Sequence, residues 1–249
     1  MTGHRPIVIG IAICALTLSM APGVRAADST RAPDSARASA VTSPARGIRY
    51  LYLIRHGMYD RDTTGTDRSM NGLNALGHAQ ARLLGARLAG FGVSFSSFVT
   101  SDFTRARETA GEIGRALGIS AVEDTLIHEC TPTTARAEYS LYHTREENAL
   151  CDAQLQAAWE KYVSPSPAAD AHDILVCHGN VIRWFVGKAL GLEATHWYAM
   201  EIANASLTVI AVRSDGTARL VVFSDVGHIP VEKQTWTGRG MGLGAPSPR

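Results

Sequence analysis

The sequence predicts an α/β protein, a three-layer α/β/α sandwich whose sheet is mostly parallel, with an antiparallel hairpin at one edge. Three observations carry this. Short apolar runs rich in β-branched and aromatic residues alternate with stretches of helical periodicity. The strand-like runs are almost continuously apolar, as strands buried on both faces must be. The last two flank Ser214-Asp215-Gly216, a hairpin turn signal.

The first strand is expected over 49–54, with Gly57 as its breaker. After a polar loop over 58–71, Leu76, Leu83, Leu84 and Leu88 fall at helical spacing, so a helix is expected over 73–89, stopped by Gly90. A second strand is expected over 95–100. Ser101-Asp102 offers an N-cap for a helix over 103–117, which Gly118 ends. Residues 119–122 read as a short strand, and 125–145 as a long loop with helical pieces. A helix over 146–163 runs up to Pro165 and Pro167. Residues 173–177 are the most strand-like run, followed by His178-Gly179-Asn180 and a helix over 181–190. Strands over 205–212 and 218–223 form the hairpin.

The two ends read differently. His4 and Arg5 precede an apolar run over 7–20, and Val24-Arg25-Ala26 ends in small residues, the layout of a secretory signal peptide over 1–26. The run is short for a membrane span of about 20 residues. An uncleaved N-terminal anchor is the alternative. This leads to a periplasmic or secreted location, with no stable membrane association after cleavage. Residues 27–46 have too few apolar groups to offset ordering entropy and read as a disordered linker. A catalytic domain is expected over 47–233 and a flexible Gly- and Pro-rich tail over 234–249. A formal net charge of +1 argues against a nucleic-acid partner. In an oxidising compartment one disulfide is possible, and Cys130–Cys151 is the expected pair. Cys177 sits in an apolar run and reads as a buried thiol. No Cys or His spacing suggests a structural zinc site.

Three motifs fall where strands end, the edge at which open α/β sheets bind ligands. They are Arg55-His56-Gly57, the run Ser101-Asp102-Phe103-Thr104-Arg105 with Glu108-Thr109-Ala110, and Cys177-His178-Gly179-Asn180. Two arginines and two histidines at one edge suit a dianion. Guanidinium forks bind phosphate oxygens, and helix N-termini add N–H donors.

In combination, these motifs resemble the histidine phosphatase superfamily, the phosphoglycerate-mutase-like group, over roughly residues 48–233. The His178-Gly179-Asn180-Val181-Ile182-Arg183 run, with Asp225-Val226-Gly227-His228-Ile229-Pro230, is most similar to the mitochondrial serine/threonine protein phosphatases of that group. The acid-phosphatase branch is less similar: Met58-Tyr59-Asp60 stands where it has a further arginine and a proline. The resemblance implies that His56 is a nucleophile forming a phosphohistidine. Arg55, Arg105 and His178, with Gly179, would bind the phosphoryl group. Glu129 would be the general acid and then base. It implies no cofactor and no metal.

Taken singly, each residue has an ordinary reading. Arg105 could be a helix-terminal ion-pair partner, Glu129 a solvated loop carboxylate, His178 a satisfied core histidine. Their joint order at the sheet edge favours the chemical reading. His128 and Arg107 are expected to face away, Arg183 to support the pocket, Asn180 to cap its helix, and Tyr59 and Asp60 to line the mouth. The function expected is an exported, metal-independent phosphomonoesterase acting on a phosphorylated small molecule or a phosphoprotein. The alternatives are a phosphoglycerate mutase and an inactive phospho-ligand-binding module. The oligomeric state is left open.

Overall fold

The structure is a computed structural model that describes residues 47–61, 64, 67–136 and 143–236. The expected signal peptide and linker, and the tail beyond Trp236, lie outside these residues. The described residues form a six-stranded sheet in the order β3-β2-β4-β1-β5-β6. Its strands are β1 (Arg49–Arg55), β2 (Ser97–Thr100), β3 (Val122–Glu123), β4 (Ala171–Cys177), β5 (Leu207–Val212) and β6 (Ala218–Asp225). The helices are α1 (Ala75–Ala89), α2 (Thr104–Leu117), α3 (Arg145–Tyr162) and α4 (Gly179–Ala189). Strands β3, β2, β4 and β1 run parallel, whereas β5 and β6 are antiparallel additions.

The two-residue period of β1 explains the layers. Leu51 and Leu53 point into a core built with Cys151 and Leu155 of α3 and Val181, Ile182 and Phe185 of α4. Tyr52 and Ile54 point into the opposite core, with Leu84 and Leu88 of α1 and Ala106 and Ile113 of α2. Leu51, Leu53, Ile54 and Phe185 are fully buried, each contributing roughly 1.5–3 kcal/mol of transfer free energy.

Several element ends differ from expectation, each for a local reason. Helix α1 begins at Ala75 because Asn74 is its N-cap, accepting from the Gly77 N–H; Leu73 instead bridges to Tyr59. Helix α2 begins at Thr104, and Phe103 holds the cap position without a side-chain bond. Ser101 Oγ accepts the Phe103 N–H at 3.2 Å, so the expected Ser-Asp cap becomes a tight turn. Helix α3 is fixed at Thr144 by a capping box with Glu147. Strand β3 is only Val122–Glu123, and β5 starts at Leu207 because Ala205 takes a left-handed backbone, φ 48°. Part of the expected loop over 125–145 lies outside the described residues. Thr125–Ile127 of it is a 3₁₀ turn. Among the described residues no helix is long and apolar enough to cross a membrane.

Register decides where the motifs meet. Arg55 stands opposite Cys177, and Thr100 opposite Val176. The next residues, His56, His178 and Ser101, therefore leave the sheet side by side. The His56 N–H donates to the Cys177 carbonyl at 3.0 Å and the Ser101 N–H to that of Val176 at 2.9 Å.

Candidate active site

His56 is buried, 2% exposed, just past the end of β1. Its Nδ1 lies 2.8 Å from the Gly57 carbonyl, which can only accept, so Nδ1 carries the proton. Its Nε2 lies 3.2 Å from Arg105 Nε, which can only donate, so Nε2 presents its lone pair. Burial, followed by the charges of Arg55 and Arg105, holds this imidazole well below the usual histidine range. The ring is neutral at pH 7.

The cations sit around it. Arg55 is buried and donates from Nη1 to the Ile202 carbonyl. Burial and then Arg183 lower its pKa to about 10, which leaves it charged at neutral pH. Arg105 projects from the first turn of α2, its guanidinium 4.8 Å from the Tyr59 ring centre and 4.9 Å from that of Phe103. Tyr59 also packs edge-on to His56 at 5.2 Å. Tyr59 thus lies at the site, whereas the neighbouring Asp60 accepts a hydrogen bond from Asn74 Nδ2.

His178 is fully buried, its ring centre 5.2 Å from that of His56. Nε2 lies 2.8 Å from Ser101 Oγ, and the buried Nδ1 has no hydrogen-bond partner among the described residues. A buried polar atom without a partner is uncommon in a folded protein and marks a place where a ligand or water atom would pair with it. Burial first, then His56 and Arg105, depress its pKa well below the histidine norm. Gly179 opens α4, so its N–H belongs to the helix's N-terminal set. A Cβ there would come 3.6 Å from Arg55 Nε.

Glu129 closes the arrangement from an irregular segment. Its Oε1 accepts the Asn180 N–H at 3.3 Å. Burial raises its pKa against the opposing pull of Arg105, Arg55 and Arg183. Part of its surface remains exposed, which tempers that rise.

The flanking residues divide. Arg107 turns away to Thr104 and Glu123, as expected. His128 does not turn away: its ring packs 5.5 Å from Phe103, which itself touches His178. Asn180 does not cap α4; its side chain donates to the Cys130 carbonyl at 2.9 Å. Arg183 donates to Asn180 Oδ1 at 3.2 Å and to the Met200 carbonyl at 2.6 Å. His143 pairs with Thr131, and His228 packs against Arg87 and the Ala205 carbonyl. Cys130 and Cys151 form a disulfide, Cα–Cα 5.7 Å, and Cys177 is a buried free thiol.

A buried polar network behind His56 was not foreseen. Asn204 Nδ2 reaches the His56 and Gly57 carbonyls at 3.3 and 3.4 Å, and its Oδ1 accepts from Thr235. Gln80 donates to Thr235 and accepts the Met58 N–H. Thr109 accepts the Gly57 N–H and donates to the Arg105 carbonyl, tying the two motifs together. Gln80 left a signal, a polar residue on the apolar face of α1. Asn204 left little, being a polar residue among small ones before a strand. Among the described residues no cluster of His, Cys, Asp or Glu could hold a metal ion.

The fold and site thus define an α/β protein that presents a neutral buried imidazole between arginines at the carboxyl edge of its sheet. Residues 51–225 match the histidine phosphatase superfamily (branch 1), and the chain belongs to that superfamily. It is 34% identical over 196 residues to the mitochondrial serine/threonine-protein phosphatase PGAM5 of Mus musculus, covering 77% of this chain and 67% of that protein. The Homo sapiens protein of the same name matches at the same identity and coverage. These relatives support phosphatase activity. Among solved structures, phosphoglycerate mutase from Plasmodium falciparum superposes with a TM-score of 0.51 at 24% identity, covering 74% of this chain and 95% of that one. Alpha-ribazole phosphatase from Shigella flexneri gives 0.53 at 18% identity, covering 71% and 96%. Both share the α/β sandwich.

The expected periplasmic or secreted location is overturned, because these relatives are mitochondrial proteins. A weakly basic start, a short apolar run and small residues do not specify which membrane a chain meets, so that pattern misled.

Proposed function

We propose that this chain is a phosphomonoesterase that hydrolyses phosphate esters, phosphoserine and phosphothreonine among them, through a phosphohistidine on His56 Nε2. The observation that carries this reading is the fixed tautomer of His56, with Nδ1–H held by the Gly57 carbonyl and Nε2 facing Arg105. In the first step Nε2 attacks phosphorus, the P–O ester bond breaks, and Glu129 gives its proton to the leaving oxygen. In the second, the Glu129 carboxylate takes a proton from water. The water oxygen attacks phosphorus, and the P–N bond breaks to release inorganic phosphate.

Arg55, Arg105 and His178 hold the equatorial oxygens and stabilise the charge that spreads over them. The raised pKa of Glu129 suits a group that begins the cycle protonated. Two guanidiniums supply positive charge at the phosphoryl site, and the reading includes turnover without a metal ion. The protein-phosphatase specificity is supported by the names of the relatives.

The test is turnover of p-nitrophenyl phosphate and of a phosphothreonine peptide in EDTA, by the wild type and His56→Ala. The wild type should turn over both, and an acid-labile, base-stable phosphoenzyme should be trapped only when His56 is present. Activity of His56→Ala within tenfold of wild type would overturn the nucleophile.

A further inference from the structure

The proposed acid stands on the least regular part of the site. Arg55 ends β1 and His56 follows it, Arg105 is on α2, and His178 precedes α4, so each is fixed by an element packed in the core. Glu129 has no such support, since residues 128–136 contain neither strand nor helix. At its far end the segment is tied to the 194–199 turn, where Trp197 Nε1 donates to the Thr133 carbonyl at 3.0 Å and the Ala135 N–H to that of Thr195 at 3.1 Å. Near Glu129 the His128 ring packs on Phe103. Further attachments run to α3 and α4. Gln154 Nε2 donates to the carbonyls of Leu126 and His128, both at 3.1 Å. Asp152 accepts the Thr133 N–H at 3.2 Å. Asn180 grips Cys130 and Glu129 from the start of α4. Among the described residues the covalent cross-link to this segment is the disulfide from Cys130, the residue next to Glu129, to Cys151 on the buried face of α3.

We propose that the Cys130–Cys151 disulfide is a positioning element for Glu129, so that opening it impairs proton transfer to the leaving group while leaving nucleophilic attack intact. This rests on the assignment of Glu129 as the acid. Consecutive Cα atoms are about 3.8 Å apart, so freedom gained at Cys130 passes directly to Glu129. A general acid works within hydrogen-bond reach of its target oxygen, and about 1 Å of misplacement can cost about a hundredfold. The other groups keep their anchors. The defect is therefore confined to esters whose leaving oxygen needs a proton. The remaining attachments are hydrogen bonds, each worth about 1 kcal/mol net, and those nearest Glu129 come from Gln154 and Asn180, which permits local opening. The bridge thereby makes the phosphatase responsive to dithiols: a dithiol donates two electrons and two protons, the S–S bond breaks into two thiols, and the reagent closes into its own cyclic disulfide.

The experiment compares kcat/KM for phenyl phosphate, a poor leaving group, with that for p-nitrophenyl phosphate, a good one. It uses the full chain untreated, the full chain after dithiothreitol, Cys151→Ala, and Glu129→Gln. Reduction and Cys151→Ala should each lower the phenyl phosphate value by about tenfold to a hundredfold. The p-nitrophenyl phosphate value should stay within about threefold, which also reports an intact fold. Dithiothreitol should not change Cys151→Ala further. Equal losses on both substrates after reduction would make the bridge a fold staple, and unchanged rates on both would make it irrelevant to the acid; either overturns the proposal. Glu129→Gln separates the two levels. If it lacks the leaving-group split, the acid assignment itself fails. If it shows the split and the reduced enzyme does not, only the role of the bridge fails.

Discussion

Arg105 Nε donates to His56 Nε2 at 3.2 Å, while Nδ1 of the same ring donates to the Gly57 carbonyl at 2.8 Å. Both ring nitrogens are thereby assigned, and the lone pair points towards a cation that also suits phosphoryl oxygens. On the reading proposed above, an incoming phosphoryl group takes over the Arg105 hydrogen bond and meets the lone pair that it releases.

Replacing Arg105 with Ala should therefore act twice. Transition-state stabilisation falls, lowering kcat/KM by about a hundredfold to a thousandfold. Removing a positive neighbour also relaxes the downward shift of His56, so the acid limb of the pH–rate profile should move to higher pH. A residual activity whose acid limb has not moved would contradict this electrostatic account.

Asn204→Ala tests the support behind His56. It removes the amide bonded to the His56 and Gly57 carbonyls and takes away the acceptor of the buried Thr235 hydroxyl proton, leaving Thr235 only its bond from Gln80. Leaving buried polar groups unpaired costs about 1–3 kcal/mol, which urea unfolding should read as a lower midpoint. With the Gly57 carbonyl less constrained, kcat should fall more than KM changes. A wild-type midpoint would remove Asn204 from the network.

Gly77 and Gly111 form a contrasting pair of helical glycines. A Cβ at Gly77 would lie 1.9 Å from the Met58 carbonyl oxygen, so α1 can approach the loop after His56 only without a side chain. Gly77→Ala should destabilise by about 1–3 kcal/mol or more and reduce turnover. At Gly111 a Cβ meets only Arg115 Nη1, at 3.9 Å. There Ala should stabilise by roughly 0.5–1 kcal/mol through helix propensity. Thermal unfolding of both variants checks the contrast, and equal shifts would refute it.

Stability should also depend on pH through the two buried histidines. In the folded state His56 and His178 are held neutral, both well below the usual histidine range. When unfolded they take up protons near pH 6.5, so below that pH the unfolded chain binds more protons. Stability should be level above the unfolded value and fall by about 1.4 kcal/mol per pH unit for each histidine below it. His178→Gln should make the decline between pH 6.5 and 5 shallower in denaturant titrations, whatever it does to the absolute stability. An unchanged slope would show that His178 is not neutral in the fold.

The sandwich was legible because its signals are local. The apolar runs, their alternation with helical spacing and the Ser214-Asp215-Gly216 turn mark layers and hairpin without reference to distant residues. The positions of His56, Arg105 and His178 were legible as well, since strand ends in such a sheet share one edge. Their roles beyond that were implied by resemblance, and the N-terminal pattern misled on location. The ends of the helices were less legible: Ser101 looked like a cap, but in the fold its hydroxyl meets His178.

What the sequence alone determined is the class of sheet and the set of chemical groups brought to its edge, because periodicity and breakers act within a few residues. Only the tertiary structure decided which nitrogen of His56 presents its lone pair, which way His128 turns, and that Asn204, Gln80 and Thr235 support His56 from behind. Those outcomes depend on register between strands and on hydrogen bonds spanning as many as 155 residues. No local pattern encodes such distances; packing sets them.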